Sequence, residues 1–577
     1  MDGFHNKVLH IDVSQMSFEE ELIDDEVYRE FLGGKGLGTY LLLNNTRAGL
    51  EPLSEDNVIV FTTGPSTDTK LLGSSRYGVF TKSPLTGIYC ESYAGGSVAE
   101  PLSRTGYDAV IIKGASVEPI YLEISNGNVG FHNASHLWGK DTYETEDAIR
   151  KEVGVKNAGI AVIGPAGENL IRFAVIENNY WRSAGRTGAG AVLGSKKIKA
   201  VVFYGNQRRN VARIDLLNQL WKEMESKVKT DAGAIAYKEL GTPMLVAATN
   251  RVGAFPTKYW SLGTFDRWQS ISADALLERC KVRPKACPKC LLACGKLVEV
   301  VDGRHKGLRI EGPEYETIYA FGGLCMIDDI REIAYLNDLC DRLGIDTMTA
   351  GNLAAFTIEA SHRKAIDEKI EYGDSDGVAE LLRKIVRREG IGAVLAKGII
   401  YASKEWGLED LAIHVKGLEP AGYDPRVLKG MGLAYATSDR GACHLRATVY
   451  KAELSGMVAP DQIEGKAEVL IDFEDRHTLF DSLLICRFFR DLYPWEILSL
   501  IIKGTTGMDL DKKQLQRLAS NITNKARDFN LREGMSKAAD TLPKRFFEEK
   551  LGDSGKVLLK SDFDRMVSDY YRLRGWS

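Results

Sequence analysis

No stretch of this 577-residue chain approaches the roughly 18 apolar residues of a membrane-spanning helix,. Its first residues, MDGFHNKVLHIDVS, carry neither a cationic segment followed by an apolar run nor a cleavage-site pattern, so a cytoplasmic protein with no membrane partner is expected,. Basic excess is also missing. The formal charge is −4 and no long basic block occurs, which removes the electrostatic case for nucleic acid,. Cysteine is scarce: nine in the whole chain are too few for a disulfide scaffold, and in a reducing compartment clustered cysteines are metal ligands or catalysts,. There is no solenoid-type repeat and no low-complexity tract. What remains is an ordinary globular composition, 44% hydrophobic and 27% charged, in a chain longer than one core supports, with about three domains expected,.

Two periodicities divide the chain. From residue 7 to about 206, short apolar segments (LHIDV, NVIVFTTGP, YDAVIIKG, AGIAVIGPAG, KAVVFYG) are separated by turn residues, and Asn126-Gly127 sits between YLEIS and NVGFH as a hairpin turn,. From Ile214 the spacing becomes helical, with Ile214, Leu217, Trp221 and Met224 three or four residues apart,. A second break falls where Gly and Pro interrupt HVKGLEPAGYDPR,. The expected architecture is α+β: a β-rich unit over 1–210 and two mainly helical units over 211–416 and 417–577.

Cys287, Cys290 and Cys294 stand in RPKACPKCLLACGK with C-x2-C-x3-C spacing. Three thiolates on one tight turn can hold three corners of a cubane, with a remote cysteine as the fourth; Cys486 in DSLLICRFF is the best candidate,. Zinc is the competing reading, but it wants a second Cys or His pair, which the sequence lacks. Cys90, Cys280, Cys325, Cys340 and Cys443 have no partner at ligand spacing and read as small buried hydrophobes, with Cys325 set apart because it follows a carboxylate-rich motif,.

The run AGRTGAGAVLGSKKIKA has G-x-G-x3-G spacing and follows NNYWRS instead of an apolar strand, so it is a poor dinucleotide fingerprint,. It still offers backbone N–H groups to a phosphate, with Arg182 and Arg186 beside it and a further guanidinium at Arg76,. Two later segments resemble one another, Asp341-Arg-Leu-Gly-Ile345-Asp346 and Asp481-Ser-Leu-Leu-Ile485-Cys486. A carboxylate accepts from paired N–H donors such as those on a pterin edge, so two such segments can seat two pterins; taken singly, each also reads as a helix end with a solvated Asp.

In order along the chain, KVLHIDVS, TKSPLTG, ASHLWGK, IGPAGEN, AGRTGAGAVLGSK, the cysteine motif, EGPEYET, DRLGIDT, YDPR, RGACH, DS-x3-C, LPKRF and YYRLRGW together resemble the tungsten-containing aldehyde ferredoxin oxidoreductase family. The resemblance implies a tungsten (or molybdenum) bis-pterin, a 4Fe–4S cluster, and Mg2+ bridging the pterin phosphates. It implies that Cys287, Cys290, Cys294 and Cys486 hold the cluster. Asp341, Ile345, Asp346, Asp481 and Ile485 would contact pterin. Arg76, Gly95, Arg182, Ser183, Gly185 and Arg446 would surround the pterins, their phosphates and the link to the cluster, and Glu316, Tyr315 and His444 would face substrate. Tyr335 and Asp338 stand where the archaeal branch has the Glu and His associated with a metal on its dimer axis, and Arg446 stands where it has Lys.

The activity so implied is oxidation of an aldehyde with water to a carboxylic acid, or the reverse, with Glu316 as general base and His444 as donor to the carbonyl oxygen. Electrons would leave to ferredoxin or a small ferredoxin-like subunit, in a homodimer or a hetero-oligomer. Judged by type alone, Glu316 also reads as a capping or ion-paired carboxylate and His444 as a core histidine. The alternatives for the whole chain are a tungsten subunit of a benzoyl-CoA reductase-type complex and a non-catalytic electron carrier.

Overall fold

The computed structural model describes residues 1–577. Twelve of its fifteen strands precede residue 205 and form two six-stranded sheets. The first comprises β1 (Lys7–Asp12), β2 (Ser17–Leu22), β3 (Ile59–Thr62), β4 (Tyr77–Lys82), β5 (Tyr89–Ala94) and β6 (Ala109–Lys113), in the order β2-β1-β6-β3-β4-β5. The second comprises β7 (Ile120–Ser125), β8 (Asn128–Asn133), β9 (Gly159–Val162), β10 (Ile176–Asn178), β11 (Arg182–Ala184) and β12 (Ile198–Tyr204), in the order β11-β10-β9-β12-β7-β8. Each sheet has one parallel pair, β1 with β6 and β12 with β7, and is otherwise antiparallel.

Period-two alternation explains how the sheets stack. Leu9, Ile11, Ile59 and Phe61 point to one side and meet Leu122, Ile124, Val201 and Phe203 of the second sheet in a shared core. Val8, Val60 and Phe80 point to the other side, where helices Gly34–Asn45 and Lys512–Arg532 cover them. Asn126-Gly127 turns β7 into β8 as expected, with both residues at positive φ,.

Beyond residue 205 the chain is mainly helical, as its spacing predicts, and its largest core unites 83 buried residues between Leu85 and Tyr571. Helix Ile214–Thr230 buries Leu217, Leu220, Met224 and Val228, whereas Ile214 is exposed, so the apolar stripe is rotated from the one the sequence suggests. A second departure bears on the site. Strands β13 (Cys280–Lys285), β14 (Gly295–Val300) and β15 (Arg309–Glu311) form a small antiparallel sheet inside the helical part. Lys285 pairs with Gly295, so the three clustered cysteines occupy the loop of a β-hairpin.

Candidate functional site

The two similar segments adopt the same local geometry. Helix Ile330–Leu343 ends on Gly344, and helix Lys466–Leu483 ends on Leu484, each in the left-handed region three residues after the aspartate. In both, the next N–H reaches five residues back: Ile345 to the Cys340 carbonyl at 3.0 Å and Ile485 to the Phe480 carbonyl at 2.8 Å. This helix-ending bond fixes the aspartate in the last turn and throws the following residues out of the helix axis. Gly344 adopts this conformation freely, while Leu484 holds it at a steric cost.

Asp341 and Asp481 thereby flank two adjoining cavities, of about 290 Å³ and about 350 Å³, which share Arg76, Tyr93, Ser183, Gly185, Glu314 and Glu316 among their walls. The smaller is also lined by Gly95, Arg182, Asp341, Ile345, Asp346 and Cys294, the larger by Tyr315, His444, Arg446, Asp481 and Cys486. Three expected residues line neither: Ile485 packs into the core beside Leu483 and Phe489, Cys290 packs against the same core, and Cys287 opens onto a separate surface pocket. Asp346 has a second task, since it accepts from the N–H groups of Met348 and Thr349 and so caps helix Thr347–His362,.

The cysteine hairpin meets the helix end that carries Cys486. Burial raises the pKa of the Cys290 and Cys294 thiols, and the nearness of Cys486 and Cys287 raises it further. No three of these thiols converge on a single-ion site. A mononuclear zinc needs sulfurs roughly 3.8 Å apart, from metal–sulfur bonds of about 2.3 Å, whereas a cubane holds its ligands at a wider spacing. Gly95 presses on this group: a Cβ there would lie 2.9 Å from the Cys287 sulfur. Arg76 reaches within 4.0 Å of the Cys486 sulfur while donating to the Tyr93 carbonyl at 3.0 Å. Arg182 pairs with Glu311 and faces Cys287 and Cys294, and Ser183 donates to Glu177 at 2.6 Å.

The polar centre of the larger cavity is Glu316 with His444. Glu316 lies on a short helix, Tyr315–Ile318, that widens at once into a π-helical turn, Tyr319–Leu324, a distortion frequent at functional sites,. Its Oε2 accepts from the Gly422 N–H at 3.0 Å, and its Oε1 lies 3.4 Å from His444 Nε2 but has no hydrogen-bond donor. Burial pushes the Glu316 carboxyl up to about 8, against the opposing pull of Gly422 and Arg186,. Burial and the nearby charges of Arg186 and Arg440 hold His444 well below the ordinary histidine range, so it is a neutral imidazole,. A helix cap or core histidine would be satisfied, but here Glu316 Oε1 and His444 Nδ1 are both buried without partners,.

Tyr315 is committed elsewhere. Its hydroxyl donates to the Gly422 carbonyl and lies 3.1 Å from Thr249 Oγ1, so it braces Gly422. Cys443 corrects the reading from residue type. It accepts from Arg440 Nε at 3.3 Å, Arg440 Nη2 at 3.1 Å and the Leu445 N–H at 3.4 Å. Burial opposes ionisation, but Arg440, Arg446 and Arg186 outweigh it and bring this thiol down to about 6,. Sequence reasoning also missed Glu91, which holds Arg446 and Lys35, and Arg487, which pairs with Asp481. The Arg that follows Cys486 in ICRFF was the available signal for the latter.

Several guanidinium donors remain unused around the larger cavity: Arg446 Nε, Arg487 Nε and Arg490 Nε are buried without hydrogen-bond partners. Two aspartate-ended helices, unused guanidinium donors and four facing thiols fit an anionic bis-pterin next to a cubane.

Family models cover nearly the whole chain: "Aldehyde ferredoxin oxidoreductase, N-terminal domain" matches residues 8–205, and "Aldehyde ferredoxin oxidoreductase, domains 2 & 3" matches 219–577. The tungsten-containing aldehyde ferredoxin oxidoreductase of Pyrococcus furiosus is 34% identical over 591 residues, covering 100% of this chain and 97% of that protein. The WOR-like subunit of the aliphatic sulfonate oxidoreductase of the same organism is 28% identical over 626 residues, covering 100% of this chain and 95% of that subunit. Among solved structures, the active site complex BamBC of benzoyl coenzyme A reductase superposes with a TM-score of 0.86 at 23% identity, covering 100% of this chain and 95% of that one, a likeness of fold.

Proposed function

Since the chain belongs to the tungsten-containing aldehyde ferredoxin oxidoreductase family of oxidoreductases, we propose that it oxidises an aldehyde with water to a carboxylic acid, or runs the reverse reduction, in the larger cavity. The observation that carries this reading is the Glu316–His444 pair, buried, 3.4 Å apart, each with an unpartnered polar atom at the cavity. When bound, the tungsten bis-pterin supplies a two-electron acceptor and the 4Fe–4S cluster a one-electron outlet. Asp341 and Asp481 would hold the two pterins, and Cys287, Cys290, Cys294 and Cys486 the cluster. Arg76, Arg182 and Ser183 would hold the phosphates and their magnesium.

Glu316 takes a proton from the water that adds to the carbonyl carbon. A carboxylate whose conjugate acid titrates near 8 is a far better base at neutral pH than an ordinary one,. Neutral His444 keeps one ring N–H, which it presents to the carbonyl oxygen as negative charge gathers there. Arg446, held by Glu91 over the Tyr93 ring at 5.2 Å, fixes the wall between this pair and Asp481. No dinucleotide-binding unit is present in the glycine-rich run: β11, which leads into it, is a three-residue strand at a sheet edge. A ferredoxin-type protein is therefore the acceptor.

The test is direct. Purified protein should contain about one tungsten or molybdenum and four irons per chain, and aldehydes should reduce a viologen or ferredoxin but not NAD. Protein with full metal content that reduces neither acceptor with any aldehyde overturns the proposal.

A further inference from the structure

The larger cavity is lined by six arginines and three carboxylates, Glu314, Glu316 and Asp481, and burial drives Glu316 towards neutrality. Most of these arginines have an anion of their own. Arg186 pairs with Asp346, Arg446 with Glu91 and Asp481, Arg487 with Asp481, and Arg440 donates twice to the Cys443 sulfur. Arg76 lies beside Cys486. Like Arg76 and Arg440, Arg490 has no carboxylate within ion-pair distance, but it is only 2% exposed and has no cysteine sulfur against it either. Its Nη1 donates to the Arg487 carbonyl at 3.0 Å, its Nη2 makes a long contact of 3.4 Å with the Tyr237 hydroxyl, and its Nε has no partner. Burial and then Arg490 bring the ammonium of neighbouring Lys451, which pairs with Asp491, down to about 8.

A guanidinium taken out of water without a counter-ion is costly, and a site built around one is completed by an anion. The position indicates which anion. Arg490 lines only the larger cavity, whereas Asp341, Asp346 and Arg182 line only the smaller, and beside it Tyr237, Tyr423, Tyr450 and Phe488 make an aromatic wall. Tyr423 stacks on Tyr450 at 4.0 Å and its ring lies 5.9 Å from that of His444, so this wall runs from the proposed reacting centre to Arg490.

We infer that Arg490 anchors a carboxylate at the far end of the substrate, and that the preferred substrates are aldehydes bearing such a group, oxidised to dicarboxylates. This rests on the function proposed above. Binding through the wall places the aldehyde carbon at Glu316 and His444, while the remote carboxylate meets a buried guanidinium that has neither a carboxylate nor a thiol against it. The same charge could instead serve a cofactor phosphate, and the experiment separates the two.

Straight-chain ω-oxo acids and the neutral aldehydes of matching length are compared with a viologen acceptor, in the parental enzyme and in Arg490→Met and Arg490→Lys. At one favoured length the parental enzyme should prefer the oxo acid by at least about tenfold in kcat/KM, as expected for a buried charge-assisted hydrogen bond. The Met variant should lose that preference through KM, and the Lys variant should recover part of it. Calorimetry with the matching dicarboxylate should show binding to the parental protein that weakens in the Met variant. Equal rates for both series at every length overturn the inference while leaving the proposed function intact. Loss of tungsten and pterin in the Met variant with an unchanged preference overturns it in favour of a phosphate anchor. If neither series is oxidised, the function fails and dicarboxylate binding alone decides the role of Arg490. If the Met variant does not fold, the length series and the calorimetry on parental protein still decide.

Discussion

Tyr315 and Glu316, consecutive in sequence, grip the same residue from its two sides: the Tyr315 hydroxyl donates to the Gly422 carbonyl, and Glu316 Oε2 accepts from the Gly422 N–H. The loop they hold is gripped twice more, by Tyr319 on the Pro420 carbonyl and Tyr435 on those of Ala421 and Tyr423. Only glycine fits, because a Cβ at 422 would lie 2.6 Å from Tyr319 Cγ. The direction of one backbone N–H, and with it the Glu316 carboxylate, is fixed by buried phenols.

Removing one phenol should therefore loosen the base without removing it. Tyr315→Phe keeps the ring and loses one donor, worth about 1 kcal/mol, so turnover should fall by roughly fivefold with tungsten and iron unchanged. The Gly422 N–H draws the Glu316 carboxyl downward, so its loosening should move the rising limb of the pH–rate profile upward. An unchanged rate and limb would make Tyr315 simple packing.

The pH dependence has a definite sign. A carboxyl raised to about 8 is protonated at neutral pH, and the base is its deprotonated form, so kcat/KM for an aldehyde should rise with pH and level off above about 8,. Glu316→Gln should lower the rate by about 10²–10⁴-fold and abolish that limb, with metal content retained. A profile that keeps its limb in the Gln variant assigns the titration to another group. Glu419, which burial brings to about 7, is the nearest alternative, and Glu419→Gln would then remove the limb.

What the sequence revealed and concealed follows from distance along the chain. The change from period-two to helical spacing near residue 210 is local, and so are the aspartate helix ends, whose repetition survives in the backbone. The sheet β13–β15 was hidden because β13, CKVRPK, buries only its first residue fully and carries a proline, features that read as loop,. Gly422 lies 106 residues from Glu316, and Glu91 reaches Arg446 from the other end of the chain, pairings that no periodicity encodes. Cys443 misled by type: its three N–H donors are within three residues, but their direction depends on the fold.

Gly95 tests how tightly the β-rich part fits the cysteine hairpin. Its φ is not in the left-handed region, so alanine is tolerated by the backbone, and the clash is with the Cys287 sulfur at 2.9 Å. Gly95→Ala should fold and lose iron, measured as a lower iron-to-protein ratio at unchanged thermal midpoint. Full iron content in this variant would show that Cys287 can move without cost to the cluster.

The fourth ligand decides whether the four thiols act as one centre. Cys486 starts the turn after helix Lys466–Leu483, its N–H is held by the Gly73 carbonyl at 2.9 Å, and its sulfur faces Arg76. Cys486→Ser leaves that backbone anchor in place and exchanges a soft thiolate for a hydroxyl that ionises far less readily, so one cubane corner loses its ligand. The expected product is protein with depleted iron or a three-iron centre, seen by electron paramagnetic resonance, and with aldehyde-dependent viologen reduction greatly slowed. Cys340→Ser is the matching control: Cys340 is buried in the core of helix Ile330–Leu343, away from the hairpin, and its variant should keep the full four-iron signal. A complete four-iron signal in Cys486→Ser would remove Cys486 from the centre and leave the hairpin cysteines with a ligand still to be found.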